Sequence, residues 1–246
     1  MSNKLLVPRI RFKEFTNAWE QWKLSDLAYK INRFNAHESV KIPLTVSAQH
    51  GLVAQLSFFK NQVMGKNIRK YQVIHKGEFS YNKSPSEGFP FGVVRRLNNY
   101  EKGLLSPVYV IFGVHEDKVN SDFLSIIFNT YEWNKNLAPN IKKGARILLN
   151  ISDNDFFNVN LTAPSTQVEQ ENIAKLIYKL DSLITLHQRK LLSLKNLKNR
   201  LLDRMFCDEK SQFPSIRFSE FTNAWEQWKL SDLAYKINRF NKKVLV

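Results

Sequence analysis

The sequence predicts an α/β fold in which a mixed, curved sheet is followed by one long coiled-coil-forming helix. Three observations predict it. Residues 40–162 alternate short apolar runs with Gly and Pro, the texture of strands joined by turns. Residues 167–206 contain neither Gly nor Pro. A 28-residue segment occurs twice, 206 positions apart, with 26 identities.

The first copy of that segment, PRIRFKEFTNAWEQWKLSDLAYKINRFN at residues 8–35, returns at 214–241 with two changes, Arg9 to Ser215 and Lys13 to Ser219. Solenoid repeats recur every ~20–50 residues. The repeat unit here is therefore a whole domain with its connector. The second copy closes on NKKVLV where the first continues NAHESVKIPL, so the expectation is one repeat and the truncated start of another. The second copy is read either as a remnant of truncation or as a competitor for the first copy's docking site. The tryptophans of both copies, Trp19, Trp22, Trp225 and Trp228, are read as packing anchors in preference to base-stacking platforms.

Within the central region the expected strands are residues 71–74, 78–82, 91–97, 106–112, 145–151 and 156–161, with one helix at 121–131. The long helix begins after Pro164, where Thr166-Gln167-Val168-Glu169 has the form of a capping box. Ile173, Leu180, His187, Leu194 and Leu201 recur every seventh residue, and Leu176, Ile177, Leu183, Ile184, Leu191 and Leu197 fill the adjoining stripe, as in a coiled-coil seam. One helix cannot bury such a stripe alone. No other segment is of comparable length, so the preferred cover is a partner chain rather than the chain folding back on itself. His187 stands where an aliphatic residue belongs, and a polar seam residue sets register or oligomeric state.

Composition narrows the function. The chain of 246 residues carries a formal charge of +15, which points to a polyanionic partner, nucleic acid first. The run KNQVMGKNIRK at residues 60–70 sets four cations among Asn and Gln, a mixture suited to phosphates and base edges together. From charge and expected loop placement, the candidate DNA contacts are Lys60, Asn61, Lys66, Asn67, Arg69 and Lys70, then Lys83, Arg95 and Arg96. Lys142, Lys143 and Arg146 form a further basic spot. Ser47, Gln49 and His50 are read either as DNA contacts or as turn builders.

Other classes are disfavoured. The single cysteine, Cys207, leaves no internal disulfide and no two-thiolate metal site. The longest apolar stretch, residues 104–114, is too short to span a bilayer, and the N-terminus lacks a signal-peptide core, so a cytoplasmic protein is expected. Neither G-x-G-x-x-G nor G-x-x-x-x-G-K-[ST] occurs, nor H-E-x-x-H, so no nucleotide, ATP or metal chemistry is expected of this chain. There is no Asn-Pro-Pro-aromatic run of the kind that amino-methyltransferases use on a flipped base.

The repeat architecture is joined by VSAQHGL at 46–52, YNKS at 81–84, LSPVY at 105–109, GAR at 144–146, and PSTQVEQ at 164–170 opening a helix with LDSLI at 180–184. Together these resemble the specificity (S) subunit of type I restriction-modification enzymes. The resemblance implies a target recognition domain at residues 1–163, a conserved spacer and dimerisation helix at 164–207, and the truncated start of a second repeat at 208–246. It also implies a non-catalytic chain that binds double-stranded DNA and addresses two kinds of partner. A modification subunit would methylate adenine with S-adenosylmethionine, and a restriction subunit would use ATP and Mg, so the cofactors belong to the partners. With one recognition domain per chain, a homodimer reading an interrupted palindrome is expected. The alternative is a DNA-binding antagonist or assembly factor that pairs with a full-length specificity chain.

Overall fold

The computed structural model describes residues 6–58, 65, 67–142, 148–208 and 211–237. Two compact units meet in sequence at Lys179 and Leu180. In chain order the elements are β1 (Glu20–Lys23), α1 (Leu24–Leu27), β2 (Ala28–Lys30), β3 (Leu44–Ser47), β4 (Gly51–Ala54), α2 (Gln55–Phe58), β5 (Gln72–His75), β6 (Phe79–Asn82), β7 (Val93–Arg96), β8 (Lys102–Leu105) and β9 (Val110–Val114). There follow α3 (Ser121–Ile127), α4 (Tyr131–Leu137), α5 (Asp153–Phe157), β10 (Asn160–Ala163), α6 (Gln167–Met205) and α7 (Leu230–Leu233).

The fold is α/β with one long helix, as expected, but the sheet is divided. A four-stranded sheet runs β2-β9-β6-β7, and three strand pairs, β1-β10, β3-β4 and β5-β8, stand beside it. All these pairings are antiparallel. Among the described residues the parallel element is a single bridge between Pro43 and Leu104. Strands of three to five residues leave room for only short ladders, so the sheets turn into one another instead of extending as one surface.

Expected elements differ in places for local reasons: the strand expected at 106–112 opens with a turn, Tyr109 N donating to Ser106 O at 3.1 Å, and β9 starts only at Val110. The helix expected at 121–131 is two helices, α3 and α4. Asn120 caps the first by accepting from Phe123 N, and Thr130 caps the second by accepting from Trp133 N while its own hydroxyl donates to Ile127 O. Short polar side chains that bond their own backbone stop one helix and start the next. The strand expected at 156–161 begins as helix α5, capped by Ser152, and becomes β10 only after Asn158. Of the strand expected at 145–151, residues 145–147 lie outside the described residues, and the rest makes a single bridge, Asn150 to Lys142.

The main core is aromatic. Tyr81 stacks on Phe156 at 4.5 Å and Phe79 on Phe112 at 5.4 Å, with Phe128 and Trp133 edge-on to these rings. Trp19 and Trp22 of the first repeat copy pack against it, as do Leu24 and Leu27 of α1. Burial raises the Tyr81 phenol well above its ordinary value, so it is a neutral donor, to Phe91 O at 2.9 Å.

Helix α6 starts where the capping-box pattern placed it, with Glu169 N donating to Thr166 Oγ1. The Glu169 side chain does something else. It is buried, and accepts two bonds from Arg11 at 2.7 and 2.8 Å and one from Trp19 Nε1 at 3.2 Å. The first repeat copy is thereby clamped to the root of α6, and the bond to Glu169 raises the pKa of the Arg11 guanidinium. Beside it, Gln170 accepts from Asn120 N and donates to Pro164 O. In the second unit, Ile216 N donates to Arg204 O, and Trp225 meets Phe206 edge-on at 5.8 Å. No helix among the described residues is long and apolar enough to cross a membrane.

Candidate nucleic-acid interface

The candidate DNA contacts singled out in the sequence fall into two groups. Asn67, Arg69 and Lys70 are exposed on a short 3-10 turn, Ile68–Lys70. Arg69 Nε lies 2.7 Å from Glu38 Oε1, an exposed pair. Glu38 itself sits at φ 53°, in a loop braced by two bonds between the Asn35 side chain and the Val40 backbone. An exposed ion pair is worth little, so a phosphate can displace Glu38 from Arg69 at small cost. Tyr71 Oη accepts from Gly65 N and ties the returning chain to the end of this turn. Lys60, Asn61, Lys66, Lys143 and Arg146 lie outside the described residues.

Lys83, Arg95 and Arg96 form the second group, and each has partners within the fold. Lys83 Nζ donates to Ile151 O at 2.9 Å and pairs with Asp153 at 3.2 Å. Burial pushes the Asp153 carboxyl up, but the hydrogen bonds and charges of Lys30 and Lys83 outweigh it, and the net pKa is below the ordinary value. Arg96 bonds Asp122, Ser121 Oγ and Asn98 Oδ1. Arg95 bonds Ala48 O and Asn129 Oδ1, and lies 5.2 Å over the Phe89 ring. Its burial lowers the guanidinium pKa from the ordinary value. A charge count cannot distinguish such braces from free cations. The distinguishing signal is the acid or carbonyl each one meets, far away in sequence.

Between two turns of this unit lies a cleft of about 400 Å³. One wall is the β3-β4 hairpin turn, in which Ser47 Oγ accepts from His50 N and Gly51 takes φ 75°. The other is the loop after β6, residues 82–87. Asn82 holds the two together, donating to Val46 O at 3.2 Å while its Oδ1 accepts from Ser84 N at 2.9 Å. Thus Ser47 is a turn builder, and the YNKS motif supplies the tie through Asn82. Gln49, Ser86 and Glu87 stand exposed at the rim.

The seam residues of α6 divide as well. Ile173 packs on the aromatic core. Leu176, Leu180, Leu183, Ile184, Leu191, Leu194 and Leu197 are all 42–55% exposed. His187 is exposed among them, and Ile177 and Leu201 are half-buried.

This fold is similar to that of solved components of type I restriction-modification systems, an S subunit among them. The crystal structure of the HsdS subunit from Thermoanaerobacter tengcongensis superposes with a TM-score of 0.53 at 13% identity, covering 76% of this chain and 48% of that one. A chain from a structural study of complex assembly and conformational transition of the type I R-M system superposes at 0.52 and 12% identity, covering 82% and 52%. The chain spans about half the length of these structures. No protein-family model matches it, and no curated protein matches it in sequence.

Proposed function

We propose that this chain is the DNA-recognition subunit of a type I restriction-modification system, itself non-catalytic and working in the cytoplasm. It directs a modification subunit that methylates adenine with S-adenosylmethionine and a restriction subunit that cleaves DNA with ATP and Mg. The observation that carries the reading is the HsdS fold, recovered at 12–13% identity for a chain whose motifs independently resemble that family. The charge of +15 and the exposed Arg69 and Lys70 support an electrostatic attraction to DNA, with Asn67 beside them as an uncharged hydrogen-bonding group.

The exposed stripe of α6 is covered, on this reading, by the same helix of a second copy. Two recognition domains then face DNA across a two-fold axis, and the target is an interrupted palindrome. The test is base-resolution adenine-methylation mapping in cells expressing the chain with a competent modification subunit. An interrupted palindrome marked on both strands is expected. An asymmetric target would overturn the homodimer. Absence of methylation would overturn the reading in favour of an antagonist that pairs with a longer specificity chain.

A further inference from the structure

We infer that the cleft between turn 47–51 and loop 82–87 reads a base edge, and that Gln49 and Glu87 select a base that presents an exocyclic amine in the major groove, adenine or cytosine. The inference rests on the DNA-recognition reading above and places one position of the target in the chain.

The cleft has a committed floor and an uncommitted rim. On the floor, Thr45 Oγ1 and Tyr109 Oη lie 3.4 Å apart, and Asn82 is engaged on both sides of its amide. At the rim, the side chains of Gln49 and Glu87 take no partner among the described residues, although both belong to tightly held turns. Glu87 sits between Ser86 and Phe89, whose backbones exchange two hydrogen bonds around Gly88 at φ 76°. Gln49 sits at the tip of the hairpin that Ser47 closes. Arg95 binds Ala48 O of one turn and stacks on Phe89 of the other, so a single side chain fixes the spacing of the two rim residues. Gly92 locks the second turn to the sheet, since a Cβ there would stand 2.2 Å from Asn82 O.

This arrangement suits a base better than a phosphate. A carboxylate at the rim repels the DNA backbone but accepts from the amine of cytosine N4 or adenine N6. A Gln amide offers a donor and an acceptor side by side, the pattern that matches adenine N6 and N7. Holding both groups on rigid turns removes the ordering cost that flexible loops would bring to recognition.

The experiment is selection of duplexes from a randomised DNA library by the full chain with its modification subunit, for the parent, Gln49→Ala, Glu87→Ala and Gln49→Glu. Both positions are exposed, so circular dichroism and thermal melting should match the parent. The alanine variants are expected to lose about tenfold to a hundredfold preference at one base position and none elsewhere. Gln49→Glu is expected to move the preference at that position toward cytosine, because the new side chain only accepts. Unchanged preferences at every position, or an even loss across all sequences, would overturn the inference while leaving the DNA-recognition reading intact. A parent complex with no sequence preference at all would overturn that reading, and this inference with it.

Discussion

Residues 8–35 and 214–241 are nearly the same peptide in two environments, and they differ in what the chain offers each of them. In both copies the sequence LSDL forms a four-residue helical turn, entered from an extended Lys and closed by an Ala N–H bonded back to the first Leu carbonyl. In the first copy Leu24 and Leu27 are buried in the core at 0% and 1% exposure, whereas Leu230 and Leu233 of the second stand at 77% and 68%. The EQWK preceding that turn is strand β1 in the first copy because β10 pairs with it, Glu20 to Ala163 and Lys23 to Asn160. Residues 226–229 have the same sequence and no strand. Arg11 and Trp19 converge on Glu169, while Arg217 bonds the nearby Asn223 O and Trp225 packs on Phe206. Neither of the two differing positions lies in the strand or the turn, so the contrast is one of partners. A helical turn closes its own hydrogen bonds, whereas a strand borrows half of them from another segment.

The strongest way to break this comparison is to truncate the same leucine in each copy. Leu24→Ala should cost about 2–5 kcal/mol, and Leu230→Ala should stay within about 0.5 kcal/mol. Urea unfolding of the two variants decides it, and equal losses would mean the second copy is as well packed as the first. Next in size is the clamp. Glu169→Gln leaves the Arg11 side chain, only 10% exposed, without its counter-charge and should lower the Tm clearly, while Arg217→Ala should leave it unchanged.

The helix between the copies offers a third measurement. If two α6 helices pair, His187→Leu removes a polar residue from the seam and should tighten the dimer severalfold in sedimentation equilibrium. An unchanged dimer would place His187 outside the seam.

The smallest effect is the pH response of Asp153, which is held by Lys30 of the first copy and by Lys83. Its folded pKa is depressed. The contribution is therefore present above the ordinary carboxylate pKa of about 3.9 and is lost as pH falls through the folded value. Acid unfolding of Asp153→Asn should lack that component below pH ~4. Because the carboxylate is a third exposed, the difference from the parent should be small.

What could be read in the chain follows from how far each feature reaches for its partner. The long helix was legible because 39 consecutive residues satisfy their own backbone bonds, and its apolar recurrence is local as well. The break between α3 and α4 was also encoded locally, in Thr130, but the apolar pattern running across it concealed that polar cap. The cleft was half legible. VSAQHGL and YNKS stood out as motifs, yet nothing in either shows that Asn82 bonds Val46 O, 36 residues away. Among the basic residues, Lys83, Arg95 and Arg96 gave the same signal as Arg69 and Lys70.

By itself, then, the sequence determined the α/β class, the extent of α6 with its apolar stripe, the repeat and the cationic charge, since each depends on residues within a few turns of one another or on composition alone. Tertiary structure decided which copy of the repeat is buried, which arginines are braces, how the strands divide into four sheets, and that Glu169 serves Arg11 and Trp19 rather than its own helix end. Those outcomes depend on contacts between segments far apart in the chain, where burial and pairing with distant backbone outweigh local preference.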